Sequence, residues 1–418
     1  MAITILVLIV LTFIVLRTLA ECGARLPFFA SEYGHIRGLK SSKGNSLSVF
    51  GVALLVRVGT FIAMLLALQV ISDNPVNKFL IIDRLHIWDA GHYVNLVNLG
   101  YDGFIEDGKH LFLVFFPFYV WVTRLVSFII PSTEIAGLLV SVLSYAGGCC
   151  YLYKLTSKLF DEVVAWDAVV LLSAFPFSFF FGTVMTEGLF LLTVTASCYY
   201  ALCRKWWLYA VFGIMAALTR MTGLLVISFG VLEFIRLYRP FSSVKSLGET
   251  VIAFLKKSYL LLAPVLGTGV YLGLNYYVDG DPFAFLTHQK HWNQGFMWVS
   301  DVISYVIDEF MHFEKAAWFL WLPTLLLFVG LFILFIIGAS RRDIPSSLVV
   351  FGFLYFLSNY CLAWLLSAGR YMSCGFVSFI ILAVLLENKP RLKTGFVITG
   401  CMLMGVLFTQ YLKWKYIM

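Results

Sequence analysis

The sequence predicts an all-α protein that crosses a membrane many times, and three observations carry that prediction. Hydrophobic residues make up 61% of the 418 positions and charged residues only 13%, about half the share of a soluble domain. Apolar runs long enough to cross a hydrocarbon core of about 30 Å recur along the whole chain. Those runs are continuously apolar rather than alternating, so helices must satisfy their backbone groups and a barrel is excluded.

The elements follow in order. The run from Ile3 to Ala20 lacks a basic leader and a cleavage site, which predicts an uncleaved anchor helix. Further spans are expected at 47–71, 135–153, 164–183, 188–203, 206–219, 221–237, 259–278, 316–338, 346–366, 371–387 and 395–414, about twelve in all. The organisation expected from them is an N-terminal anchor and basic loop at 1–46, a first membrane module at 47–278 and a second at 279–418.

Loop charge sets the orientation. Arg25, Arg37, Lys40 and Lys43, then Lys154 and Lys158, Arg204 and Lys205, the 236–257 segment, Arg341 and Arg342, and the 389–393 segment fall in alternate loops, expected to be cytoplasmic. The loops at 72–112 and 279–315 are acidic and are expected to face outward. This alternation survives only if the apolar segment "FLVFFPFYVWVTRLVSFII" does not span. Arg124 inside it would also be expensive at bilayer depth. That segment is expected to lie along the membrane as part of the first outer loop, 72–134. The net charge of +7 therefore reads as topology, not as affinity for nucleic acid. The eight cysteines form no CxxC, and most sit in apolar runs, which predicts packing rather than a zinc site or disulfide framework. "GVYLG", Gly269 to Gly273, is expected to be a close helix contact. No nucleotide loop is present.

Polar groups near membrane depth are where chemistry is to be sought. In "IWDAGHYVNLVNLGY", a helix beginning at Asp89 would put Asp89, His92 and Tyr93 on one face, with Gly100 as its stop. Helix capping by Asp89 and an interfacial belt of Trp88 and Tyr93 account for the same residues. Glu187, in "GTVMTEGLF", is equally favoured as a first-turn acid. "DGDPFAFLTHQKHW" combines turn chemistry with His288, Gln289 and Trp292. In "SAGRYM", Arg370 and Tyr371 begin a helix, where an arginine either snorkels or holds a phosphate.

The run "WDAGHYVNLVNLGY" followed by "FFPFYVWVTRL" resembles the GPI mannosyltransferase II family and its prokaryotic relatives, of the C-type glycosyltransferase superfamily. "LFDEVVAWDAVVLLSAFPFSFFFGTVMTEGLFLL", "LTRMTGLL", "GDPFAFLTHQKHW" and "SAGRYMSCGF" extend the likeness over about residues 80–385. One departure stands out, because the family reads Thr-Glu-Ser where this chain has Thr-Glu-Gly at 186–188. The resemblance implies a C-type glycosyltransferase fold with juxtamembrane helices in the first outer loop. It further implies an inverting transferase that takes a sugar, usually mannose, from a polyprenyl or dolichyl phosphate at the outer or luminal face. The acceptor would be a glycolipid, a polymer or a protein. The membrane would be the plasma membrane in a prokaryote and the endoplasmic reticulum in a eukaryote.

Asp89 matches the family's catalytic acid and would take the acceptor's proton. Arg370, with Tyr371, Arg220 and His288, would hold the departing lipid phosphate. Trp88, His92, Tyr93, Glu187, Gln289 and Trp292 would contact sugar or acceptor. The acids are dispersed, so neither a metal nor another cofactor is required. A lipid-linked-sugar flippase is the competing reading, but no inverted repeat is apparent. A non-catalytic membrane subunit is the third, and predicts that the outer-face polar residues tolerate substitution.

Overall fold

The computed structural model describes residues 1–26, 46–72, 75–312, 317–413 and 417, and helices account for nearly all of them. Arg37, Lys40 and Lys43 of the basic loop and the end of the 279–315 loop lie outside the described residues. Among those described, seven helices are long and apolar enough to cross a membrane. They are Ala2–Glu21, Ser46–Ile71, Thr133–Leu159, Met221–Tyr238, Val244–Asp279, Ala317–Ser340 and Pro390–Leu412. Glu187–Leu202, Trp206–Thr219, Ser346–Tyr360 and Phe376–Leu386 are shorter apolar helices. This is an integral, multi-pass membrane architecture.

The departures from about twelve uniform spans have local causes. The run expected at 164–183 is a helix only over Glu162–Ala174, followed by a 3-10 turn at Ser178–Gly182. Pro176 lacks an amide hydrogen and pushes its predecessor to extended backbone; Phe175 sits at φ −60°, ψ 136°. The run expected at 259–278 begins instead at Pro264. Much of the basic 236–257 loop is helical, Val244–Leu261, and joins it across a short break. The 346–366 run stops at Tyr360, because residues 361–363 leave the helix to pair with 295–297. Met297 N donates to Cys361 O (2.9 Å) and Ala363 N to Gly295 O (2.8 Å). The 371–387 run is two pieces, Ala368–Ser373 and Phe376–Leu386, so Arg370 lies within a helical turn and does not begin the longer helix.

Leu111–Val114 and Pro117–Ser127 are separate short helices. At 11 residues the second is about 16 Å long, too short to cross the core. Arg124 satisfies itself on the Val97 carbonyl, 2.8 Å away, which ties this segment to the helix Asp89–Leu99. "GVYLG" is not the close contact that its spacing predicts. A Cβ at Gly269 or Gly273 would meet nothing within 4 Å. Gly267 makes the approach instead, since a Cβ there would lie 2.5 Å from Ile214 O. The eight cysteines are free thiols; six are buried, Cys203 is half-buried and Cys401 is exposed.

Thr133–Leu159 is the axis of the bundle: 61% of its apolar window is buried, against at most 33% for the other long helices. Chain alternation collects the starts of the helices at Asp89, Thr133 and Glu187 and the ends at Thr219 and Asp279 at one end of it. At the opposite end Arg17 donates to the carbonyls of Gly338 (3.0 Å), Ala339 (2.7 Å) and Ile344, closing the last turn of Leu322–Ser340.

Candidate active site

At the first of these ends, four charged side chains from distant parts of the chain meet. Arg370, 2% exposed, donates from Nη1 to Asp89 Oδ2 and from Nε to Glu187 Oε1, each at 2.5 Å. Arg220 Nη2 reaches the same Glu187 oxygen at 3.2 Å. Two guanidiniums and two carboxylates thus form one linked network with no net formal charge. Burying such a set is tolerable only because each charge is paired and hydrogen-bonded.

Local structure explains each placement. Asp89 is the first residue of Asp89–Leu99, and Gly100 at φ 84° ends that helix. Asp89 does not cap the helix. The cap position belongs to Trp88, held at φ 54°, ψ −132°, an unfavourable conformation for a side-chain-bearing residue. That strained junction turns the carboxylate toward Arg370. Glu187 opens Glu187–Leu202, where the helix dipole favours its charge. Arg220 ends Trp206–Thr219, and its guanidinium lies over the Tyr371 ring at 5.1 Å and the Phe190 ring at 5.7 Å.

Arg370 rides on a six-residue helix that abuts the Pro176 break. A Cβ at Gly369 would lie 2.4 Å from the Phe177 ring, so glycine permits the approach. The Arg370 guanidinium lies over Phe180 at 5.7 Å. Tyr411 packs edge-on to Phe180 at 5.4 Å. At Gly188 a Cβ would lie 2.2 Å from Ser141 O, so the Thr-Glu-Gly sequence reflects missing space for any side chain.

The remaining expected residues divide into two groups. Tyr93 is buried on the Asp89 helix, edge-on to Phe115 (4.9 Å) and Tyr119 (5.2 Å), and burial pushes its phenol pKa up. His92 sits among Phe112 (4.5 Å), Phe115 (5.7 Å) and Phe104 (6.3 Å). Burial lowers its pKa, and the nearby charges of Asp89 and Glu106 only partly oppose that. His288 is not among the partners of the four-charge network. Its Nε2 lies 2.8 Å from Asp279 Oδ2, and His110 Nδ1 holds the other oxygen at 3.1 Å. This cluster joins the two acidic loops, and Trp292 reinforces it edge-on to Phe112 at 6.0 Å. Gln289, half-buried, closes the turn through its carbonyl, which accepts from Gln294 N. Among the described residues no group of three or more His, Cys, Asp or Glu is placed to hold a metal ion.

The sequence reading missed Phe177, Phe180, Gly369, Tyr411 and His110. "FPF" at 175–177 held a signal for the first two, since a proline inside an apolar run marks a break. The pairing of His110 with Asp279, 169 positions apart, left no local trace.

Residues 116–268 match the family model of the dolichyl-phosphate-mannose-protein mannosyltransferases, a little over a third of the chain. It is this family, not GPI mannosyltransferase II, that the match describes. No curated protein matches the sequence significantly. The chain aligns with the apo crystal structure of the Archaeoglobus fulgidus oligosaccharyltransferase at 12% identity and a TM-score of 0.44. That alignment covers 88% of this chain and 56% of the other. The archaeal oligosaccharyltransferase AglB from the same organism, in complex with an inhibitory peptide and a dolichol-phosphate, aligns at 12% identity and a TM-score of 0.39. Coverage there is 88% of this chain and 55% of that one. The chain thus spans about half the length of these structures.

Proposed function

We propose that the protein is a membrane glycosyltransferase that moves a sugar from a polyprenyl- or dolichyl-phosphate donor to an acceptor at the outer or luminal face. The linkage of Asp89 to Arg370 carries this reading, because it puts a base beside a fixed cation. The match of residues 116–268 to a dolichyl-phosphate-mannose-dependent family supports the donor class and makes mannose the first sugar to test. The face follows from charge. Lys154 and Lys158, in the last turns of Thr133–Leu159, and Arg204, Lys205, Arg341 and Arg342, in loops, lie at the opposite end of the bundle, the cytoplasmic end by the positive-inside rule.

Exposure supports a division of roles. The Asp89 side chain is 35% exposed, whereas Glu187 is wholly buried and held by two arginines. Asp89 is therefore the acid that a substrate reaches. Its carboxylate takes the proton of the acceptor hydroxyl as that oxygen attacks the anomeric carbon from the face opposite the phosphate. The anomeric carbon–oxygen bond breaks, and its electron pair leaves on the lipid phosphate. Arg370, always protonated and immobilised by Glu187, stabilises that growing charge with no reorganisation, and Arg220 and Tyr371 flank it. The outcome is inversion.

The test is to give purified protein radiolabelled polyprenyl-phosphate mannose and glucose with membrane extracts as acceptors. Transfer of label to an extractable product is expected. If no donor is consumed with any acceptor, the reading falls.

A further inference from the structure

Arg57 is a buried cation outside the four-charge network, and the transfer mechanism gives it no task. It lies within Ser46–Ile71, a helix long and apolar enough to cross the membrane, about 16 Å from the helix start. An arginine at that depth is expensive, and at 2% exposed it does not snorkel to a headgroup. Its Nη1 donates to Ser178 O at 2.5 Å, and its guanidinium lies over the Tyr145 ring at 4.5 Å. Nε and Nη2 have no hydrogen-bond partner among the described residues. For stability alone this is a poor arrangement, because a desolvated charge is left without a balancing carboxylate. What Arg57 touches gives it a purpose. Ser178 opens the 3-10 turn Ser178–Gly182, just after the Pro176 break. Inside a membrane, carbonyls freed by such a break must be satisfied by neighbouring helices, and Arg57 satisfies that of Ser178. Tyr145 packs on Phe181 at 4.7 Å and bonds Ser173 Oγ at 2.7 Å. Arg57 thus holds residue 178 directly and residue 181 through Tyr145. Between them Phe180 lies against the Arg370 guanidinium, and just before them Phe177 faces Gly369.

We propose that Arg57 is a positioning residue for sugar transfer: its bond to Ser178 O fixes the 178–182 turn, and the turn's aromatic rings fix Arg370. This role rests on the glycosyl-transfer reading above. Arg57 meets no substrate. It acts through Phe177 and Phe180, whose rings set where the phosphate-binding guanidinium stands.

The test compares wild type, Arg57→Met, Arg57→Lys, Gly369→Ala and the double variant Arg57→Met/Gly369→Ala. Three quantities are read: melting temperature in detergent, kcat for transfer from polyprenyl-phosphate mannose, and binding of polyprenyl phosphate by thermal shift. Arg57→Met removes an unbalanced charge and keeps the aliphatic stem, so its melting temperature is expected near wild type or above it. Its kcat is expected to fall roughly ten- to a hundred-fold, with weaker polyprenyl-phosphate binding and an unchanged acceptor KM. Arg57→Lys keeps a donor for Ser178 O and is expected to recover most of both. Residues acting through one floor are coupled, so the double variant should lose less than the product of the single losses. Wild-type kcat and binding in Arg57→Met overturn the proposal. So do equal losses in Arg57→Lys and Arg57→Met, losses that multiply in the double variant, or a Gly369→Ala without loss. If Arg57→Met does not fold, Arg57→Gln, polar but too short for Ser178 O, carries the same expectations. Failure of both to fold assigns Arg57 to stability alone and overturns the proposal. Wild type that transfers no sugar, yet binds polyprenyl phosphate in an Arg57-dependent way, upholds the positioning role and overturns the transferase reading. If wild type binds no polyprenyl phosphate, both fail.

Discussion

Arg370 Nη1 lies 2.5 Å from Asp89 Oδ2 although the two residues are 281 positions apart, so the proposed base and the proposed phosphate ligand touch. Asp89→Asn tests the base cleanly. Asparagine keeps an oxygen that can accept from Arg370, so the fold and the arginine's position are retained. What is lost is the ability to take a proton. Transfer is expected to fall by roughly a hundred- to ten-thousand-fold with melting temperature near wild type. Wild-type turnover in Asp89→Asn would remove Asp89 from catalysis.

Arg370→Ala is a blunter change. It strands Glu187, fully buried, with only Arg220 at 3.2 Å, and removes the partner of Asp89. Breaking a buried pair in this way costs about 3–5 kcal/mol, so loss of folded protein would mask loss of activity. Arg370→Lys retains the charge and forfeits the fork that spans the two acids. The donor KM is expected to rise at least ten-fold in Arg370→Lys with the acceptor KM nearly unchanged. An equal rise in both would make Arg370 a structural arginine only.

His92 supplies a prediction in pH. Its ring lies 4.5 Å from Phe112, and burial lowers its pKa from the usual 6.5. Below pH 6.5 the unfolded chain takes up a proton that the folded chain refuses, so the unfolded state binds more protons and stability drops as the pH is lowered. The contribution of His92 is complete above that pH and is lost on acidification. Melting temperature in detergent should therefore fall between pH 7 and pH 5, and His92→Phe should flatten that slope. An equally steep slope in His92→Phe would assign the effect to other groups.

The sequence made much of this site legible, and for a physical reason. Charges in a greasy chain are expensive, so Asp89, Glu187 and Arg370 stand out one by one, whereas Arg220 enters only through the family resemblance of "LTRMTGLL". Loop charge was enough to keep the segment at 111–130 from being taken as a span, and its short helices agree with that. Contacts between uncharged groups were not legible. Phe177 and Phe180 read as ordinary apolar residues until Pro176 bends the chain beneath Arg370. The place of His288 was not legible either, because its pairing with Asp279, apart from the four-charge network, leaves no mark in the sequence. Hydropathy registers apolar length but not a two-residue break, so seven long helices and several shorter apolar ones are found among the described residues where about twelve even spans were expected.

Gly369 tests whether the aromatic floor positions the arginine. A Cβ at this position would lie 2.4–2.5 Å from three carbons of the Phe177 ring, and neither group moves freely. Phe177 follows the Pro176 break, and Gly369 belongs to the turn that carries Arg370. Gly369→Ala must therefore push the Arg370 turn away from Phe180 or displace the 3-10 segment, at about 1–3 kcal/mol of overpacking. Either movement stretches the contacts of Arg370 with Asp89 and Glu187. Transfer by Gly369→Ala is expected to drop at least ten-fold, mainly through kcat, while the folded protein survives purification in detergent. Phe177→Leu in the same chain gives the methyl group space and is expected to restore part of the rate. If Gly369→Ala turns over at the wild-type rate, the placement of Arg370 does not depend on this contact.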